Sequence, residues 1–310
     1  MAALTGLLVA AGAGWLLGSP VNQPLLLRVA VPAGRFVLDG CGVVAVGLAL
    51  LCWLVAGGRR RDVDAVLDAA GRAAVVLAGA WAASAVLMLW LQAAVVTGRP
   101  LTGLGVDDVA DYVGAFNAGV GLLVTVAAAV SYAVLAVLTR WRRWPELAAV
   151  LSLLGLLPGP LTGHASSQHD HELAILSIAA HAGAAAVWVG GLGAAVTLLA
   201  ARRALLVTAL PRFSAIAAGS AGTLAVSGVL TAVARLGSVA QLAGTGYGRV
   251  VLAKAAALVV LGVLGWLLRR RVLPAVRDHR RAPLVLLAGI ELTVMAVAIG
   301  LAAALTTSSP

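Results

Sequence analysis

Four of the five histidines in this 310-residue chain fall between His164 and His181. Three stand in Gly163-His-Ala-Ser-Ser-Gln-His-Asp-His-Glu172, with Asp170 and Glu172 among them, and His181 follows after eight apolar or small residues. Imidazole and carboxylate together make a ligand set for a borderline transition metal ion. His169 and His171, two residues apart, suit a turning loop better than one face of a helix. His164 comes just after Pro158-Gly159-Pro160, where missing amide donors end a helix early. His181 lies inside an apolar run, and an ionisable residue in such a run marks a functional site by default. The expected chemistry is metal capture at a membrane surface, with an entry site in the loop and a first station at His181. For His169 and His171 the plainer alternative is a pair of solvated loop residues.

The elements that position these groups are membrane helices. The chain is 62% apolar and 11% charged, against about 25% charged residues in soluble domains. Its apolar residues gather in runs of roughly 17–25, the length that crosses the hydrocarbon as a helix. Period-two alternation over about ten residues, the mark of a spanning barrel, is absent. The pattern predicts an all-α, polytopic transmembrane bundle of nine spans, or eight if the first is cleaved. They fall at 2–17, 36–56, 73–96, 117–138, 147–162, 173–200, 214–235, 250–268 and 284–306. Residues 1–146 then hold four spans and 147–310 five, with the His loop at 163–172. Asp107-Asp108-Val-Ala-Asp111-Tyr112 reads as a short surface helix.

The net charge of +10 does not point to nucleic acid, because 16 of the 22 basic residues sit in alternate loops. Those loops carry Arg59–Arg61 and Arg72, then Arg140, Arg142 and Arg143, then Arg202, Arg203 and Arg212, then six arginines from Arg269 to Arg281. This asymmetry is the positive-inside signature. It predicts a cytoplasmic N-terminus, with the His loop and C-terminus extracytoplasmic. Trp141, Trp144 and Trp266 lie near the cytoplasmic ends, where an interfacial belt belongs. Cys41 and Cys52 are about 16 Å apart along one helix, too far for a disulfide. They read as small buried residues, with soft ligands along a path as the alternative. No glycine-rich segment carries the lysine of a phosphate loop, and no enzymatic activity is expected.

Glu291 is the second anomaly, about 12 Å inside the last span with Met295 one turn further on the same face. A carboxylate in hydrocarbon must be paired, protonated or hydrated. Opposed helix directions would put Met295 near the depth of His181, and Met88 lies in the outer half of the third span. Thioether and imidazole at one depth suit Cu(I), whereas carboxylate-rich loops accept harder ions. Core packing is the plain reading of both methionines. Lys254 and Arg249 snorkel to headgroups or neutralise a carboxylate.

At these residues the sequence resembles the copper resistance protein D family of bacterial membrane proteins. The resemblance rests on Gly163-His164-Ala165 and on the run from His181 through Trp188, Gly190, Gly191 and Leu192. It continues with Arg212-Phe213-Ser214, Ser227-Gly228-Val229, Tyr247-Gly248-Arg249 with Lys254, and Glu291. It is strong from about Leu147 onward. It implies copper transport or copper handling at the bacterial inner membrane, with His164, His181 and Glu291 as functional candidates. Copper in either oxidation state and the lipid bilayer are the implied partners, together with an extracytoplasmic copper donor or a fused cytochrome oxidase assembly domain. Nucleic acid is not among them. Two rivals stay open: a b-type haem protein using His181 and a second histidine as axial ligands, and an assembly factor that binds no metal.

The charge asymmetry is testable directly. A single cysteine placed at Ser167, in a background without Cys41 and Cys52, should react with an impermeant reagent in intact cells. One placed at Ala204 should not, and the reverse pattern would invert the topology.

Overall fold

The computed structural model describes residues 1–17, 24–138, 143–162, 171–235, 246–267, 270 and 282–307. Among them every regular element is helical. We number the helices α1 (Ala2–Leu17), α2 (Leu25–Leu54), α3 (Arg60–Thr97), α4 (Val106–Ala115), α5 (Asn117–Val137) and α6 (Pro145–Leu156). They continue with α7 (Pro158–Leu161), α8 (His171–Ala194), α9 (Arg203–Arg235), α10 (Gly246–Leu267) and α11 (Ala282–Thr307). A π-helical turn, Ala195–Leu199, extends α8. Five of these helices are long and apolar enough to cross a membrane, and four shorter apolar stretches fall in α1, α6–α7, α10 and α11. The architecture is a helical membrane bundle.

Helix boundaries differ from the predicted spans in one systematic way: three helices begin well before their apolar runs. The 38 residues of α3 would reach about 57 Å, and the hydrocarbon is about 30 Å thick. Its first turns therefore continue outside the lipid, burying Val66, Leu67 and Ala70 at helical spacing. Likewise α9 starts at Arg203 and buries Leu205, Leu206, Ala209, Leu210 and Phe213 along one stripe. In α2 the helix runs through Arg28, Pro32 and Arg35, residues that in the sequence look like loop. Pro32 sits only two turns from the start, and Arg35 is held by Asp39 one turn on, Nε to Oδ2 at 2.9 Å. The predicted break at Pro158-Gly159-Pro160 is present, dividing α6 from the four-residue α7. The acidic surface helix is α4.

Helix α2 is central and touches α1, α3, α6, α8, α9 and α11. Its approach to α8 is backbone on backbone. A Cβ on Gly47 would run into the carbonyl of Gly190, and one on Gly190 into the carbonyl of Val43. Small residues permit such contacts between helices in lipid, where apolar burial supplies no drive of its own. Trp81 on α3 is fully buried, its ring pressed on Gly42 of α2 and Gly155 of α6. A Cβ at Gly155 would come within 2.6 Å of that ring. Interhelical hydrogen bonds add direction: Tyr132 Oη donates to Ala45 O at 3.1 Å, and Thr125 Oγ1 to Gly155 O at 2.8 Å. At the opposite edge α1 lies against α11, where Gly6 faces the Ala296 carbonyl and Gly300 the Gly6 carbonyl.

Two of the basic groups meet at one end of this bundle. Arg212 Nη1 donates to the last carbonyl of α2, Leu54 O at 3.3 Å, and to Ala56 O just beyond it. Arg202 Nη1 donates to Asp62 O at 3.0 Å in the first turn of α3. At the C-terminal end of α2 the Arg212 guanidinium satisfies free carbonyls and favours the dipole.

Because both sides of the α2–α8 contact are backbone, Gly47→Ala should cost about 1–3 kcal/mol by forcing the helices apart. Thermal unfolding in detergent should show a lowered midpoint, while Gly79→Ala, which would meet nothing within 4 Å, should leave it unchanged.

Candidate functional site

The face of α8 opposite its α2 contact carries two of the polar groups singled out by sequence. Residues seven apart on a helix lie two turns apart on nearly one face, about 10 Å along the axis. His181 and Trp188 stand in that relation, and both lie on the far side from Gly190.

Trp188 is buried, and its Nε1 donates to Glu291 Oε1 on α11 at 3.1 Å. Glu291 is itself only 3% exposed. Desolvating a carboxylate in a span costs several kcal/mol unless hydrogen bonds replace the lost water. The indole N–H supplies one such bond and leaves lone pairs on both carboxylate oxygens. Met295, one turn further along α11, is also buried. Trp188 is one of the residues that carry the family resemblance, and the structure makes it the partner of Glu291.

His181 is exposed on α8, and its Nδ1 lies 2.9 Å from Ser227 Oγ on α9. Ser227 Oγ also lies 2.7 Å from Thr223 O, one turn back. A carbonyl can only accept, so the single hydroxyl proton belongs to that 2.7 Å contact. Towards His181 the serine oxygen is then an acceptor, and Nδ1 carries the ring proton. Nε2 is left as the lone-pair nitrogen. Metal-binding imidazoles are set up in this way, with one nitrogen donating to a fixed oxygen and the other turned to the ion. Ser177, one turn before His181, donates to Ser227 O at 3.2 Å and ties the same two helices together.

The remaining candidates fall elsewhere. His164, His169 and Asp170 lie outside the described residues, as do the side chains of His171 and Glu172, so the loop half of the expected site has no described geometry. His171 is the first residue of α8, which begins two residues before the predicted span. That puts His181 about 15 Å from the helix start. Among the described residues no three of His, Cys, Asp and Glu come together. Met88 is fully buried and lines a cavity whose walls come from α2 to α7 and include no residue of α8 or α11. Cys41 is buried in the core and Cys52 partly so.

Residues 26–174 match the family described as copper resistance protein D-like, N-terminal domain, and residues 207–305 match copper resistance protein D. The chain belongs to the copper resistance protein D family. The second match spans most of α9, α10 and α11, including Ser227, Glu291 and Met295. The copper transport protein CutJ of Bacillus subtilis (strain 168) is similar too, 33% identical over 124 residues. That stretch is 37% of this chain and 23% of the relative, so the chain spans under a quarter of that protein's length. No solved structure matches. A member of this family with these helices is a copper-related membrane protein.

The hydrogen bond to Ser227 carries a spectroscopic prediction. In nitrogen-15 spectra of metal-free protein at pH 8, His181 should give one protonated Nδ1 and one unprotonated Nε2. Ser227→Ala should mix the two tautomers. A protonated Nε2 in the parent would contradict the assignment.

Proposed function

We propose that this protein takes copper from the extracytoplasmic side through its histidine loop and passes it into or across the membrane along α8 and α11. The observation that carries the proposal is the pair of hydrogen bonds that fix His181 and the Glu291 carboxylate along one face of α8, in a family named for copper resistance. His164, His169 and His171, with Asp170 and Glu172, are the capture ligands in this reading. His181 is the first station below them.

If each apolar helix crosses once, α8 and α11 are three spans apart and run in opposite directions. Met295 then lies on the His181 side of Glu291, about 6 Å along the axis. The order from the loop inward is imidazole, thioether, carboxylate. A soft ligand between two borderline or hard ones suits an ion that is held briefly and handed on. The basic loops would face the cytoplasm and the His loop the opposite side, as positive-inside asymmetry requires.

The protein acts as a carrier in this reading, with no enzymatic step. Hand-over from an extracytoplasmic donor, or to a cytochrome oxidase assembly domain, completes this reading. CutJ, described as a copper transport protein, supports copper as the cargo.

Glu291→Gln is the most informative variant, because its amide oxygen still accepts from Trp188 Nε1–H while the charge is gone. The variant should express normally and bind copper at the loop, yet its cellular copper accumulation should fall at least tenfold. His181→Ala should lower accumulation equally and weaken copper binding about 10- to 100-fold. Copper uptake at the parent level by a well-expressed Glu291→Gln protein would remove Glu291 from the path.

A further inference from the structure

A second polar site lies in the N-terminal half, away from the proposed copper path. Between α2, α3, α4, α5, α6 and α7 is a small cavity with an open mouth. It sits at the end of the bundle marked by α4 and the C-terminal end of α3. Arg35, Asp39, Met88, Gln92, Tyr112 and Thr162 are the polar and sulfur-bearing residues of its wall, with Thr125 deeper.

Three side chains of that wall carry donors that no protein group accepts among the described residues. Arg35 gives its Nε–H to Asp39 Oδ2 at 2.9 Å, and the pair is mostly buried, with side chains 13% and 22% exposed. Among the described residues the two Nη groups of Arg35 have no acceptor. Its guanidinium lies against Gly159, where a Cβ would overlap Nη2, so the glycine of the Pro-Gly-Pro break makes room for it. Tyr112 is 5% exposed, and its hydroxyl, the only polar atom of that side chain, has no hydrogen-bond partner among the described residues. The Gln92 amide has none either. Thr125 and Thr162 have already given their protons, to Gly155 O at 2.8 Å and Pro158 O at 2.9 Å. The wall therefore offers donors on Arg35, Tyr112 and Gln92 that no protein group accepts among the described residues and that face the open cavity.

Such a wall asks for an acceptor-rich occupant. A metal ion at Asp39 or Met88 would stand beside the guanidinium and repel it strongly in so low a dielectric. An oxyanion meets the opposite situation: the Nη edge of arginine matches a carboxylate in two parallel hydrogen bonds. Asp39 occupies only the Nε side. Of the carboxylates on α4, Asp108 is held by Arg99 at 2.9 and 3.1 Å. Asp107 and Asp111 are exposed on that helix, where solvent and salt screen them.

We propose that this cavity is a binding site for a small carboxylate-type oxyanion, held by the Nη edge of Arg35, the Tyr112 hydroxyl and the Gln92 amide. The site is independent of the copper path and stands or falls separately from it.

The test uses the full chain in lipid nanodiscs and acetate as the probe. Sodium acetate should raise the thermal unfolding midpoint saturably, and sodium chloride at equal ionic strength should not. Tyr112→Phe keeps the ring and its stacking on Phe116, 5.4 Å between centroids, and removes a hydroxyl with no protein partner. It should fold as the parent does and bind acetate about tenfold more weakly. Arg35→Lys keeps the charge but loses the fork and should bind more weakly still. If Arg35→Lys does not fold, Tyr112→Phe alone decides. Parent-level acetate affinity in Tyr112→Phe overturns the proposal, as does a failure of acetate, formate and bicarbonate alike to exceed the chloride control. Copper bound at Met88 Sδ in a copper-soaked structure, with acetate unable to enter, overturns it in favour of a metal site.

Discussion

The contact on which the rest of the bundle depends is the meeting of α2 and α8 at Gly47 and Gly190. Both partners there are main chain, and neither position has room for a single methyl group. In lipid, helices associate through close packing and polar contacts, because hydrocarbon offers no hydrophobic drive between them. A glycine on each helix lets the backbones approach until dispersion and carbonyl contacts hold them. That approach also sets the rotation of α8. With Gly190 turned to α2, helical geometry turns Trp188 and His181 the other way, towards α11 and α9.

Polar side chains then find partners across the helix boundaries created by that rotation. Trp188 reaches Glu291, His181 reaches Ser227, and elsewhere Tyr132 and Thr125 reach main-chain carbonyls of neighbouring helices. Each bond removes part of the cost of a polar group in hydrocarbon. Among the described residues, polar side chains of chemical interest gather in two places: the face of α8 turned to α9 and α11, and the cavity beside Arg35. In a membrane protein, polar and ionisable groups inside the bundle mark a ligand site or an ion pathway. The two places differ in kind. One brings together an imidazole, a thioether and a carboxylate, and the other sets a guanidinium, a phenol and an amide beside the Asp39 carboxylate.

Much of this was legible in the residues themselves. Each predicted apolar run coincides with an apolar helix among the described residues, five of them long enough to cross a membrane, and the Pro-Gly-Pro break and the acidic surface helix appear where the sequence puts them. Helix starts were less legible. Arg60 to Arg72 and Arg203 to Phe213 are amphipathic, so a hydropathy reading stops at the edge of the lipid although the hydrogen-bonded helix does not. Arg35 was hidden for a related reason: a charge and a proline near the start of an apolar run look like loop. Only the carboxylate one turn on explains why the helix continues through it.

For the site, the sequence determined which residue types stand at membrane depth. A histidine, a glutamate and a methionine inside apolar runs are chemical facts before any fold is known. Their families of partners are not such facts. Ser227 and Trp188 lie 46 and 103 residues from the groups they hold, and nothing in periodicity links positions so far apart. Met88 has the same chemical character as Met295, yet packing places it beside Gly34 and Gln92 in the N-terminal cavity. Composition and spacing therefore decided the solvent, the helices and the candidate chemistry, because those depend on local transfer energies. Tertiary structure decided which nitrogen of His181 carries its proton, what faces Glu291 and where Met88 stands, because those depend on how the α2–α8 contact rotates one helix against the others.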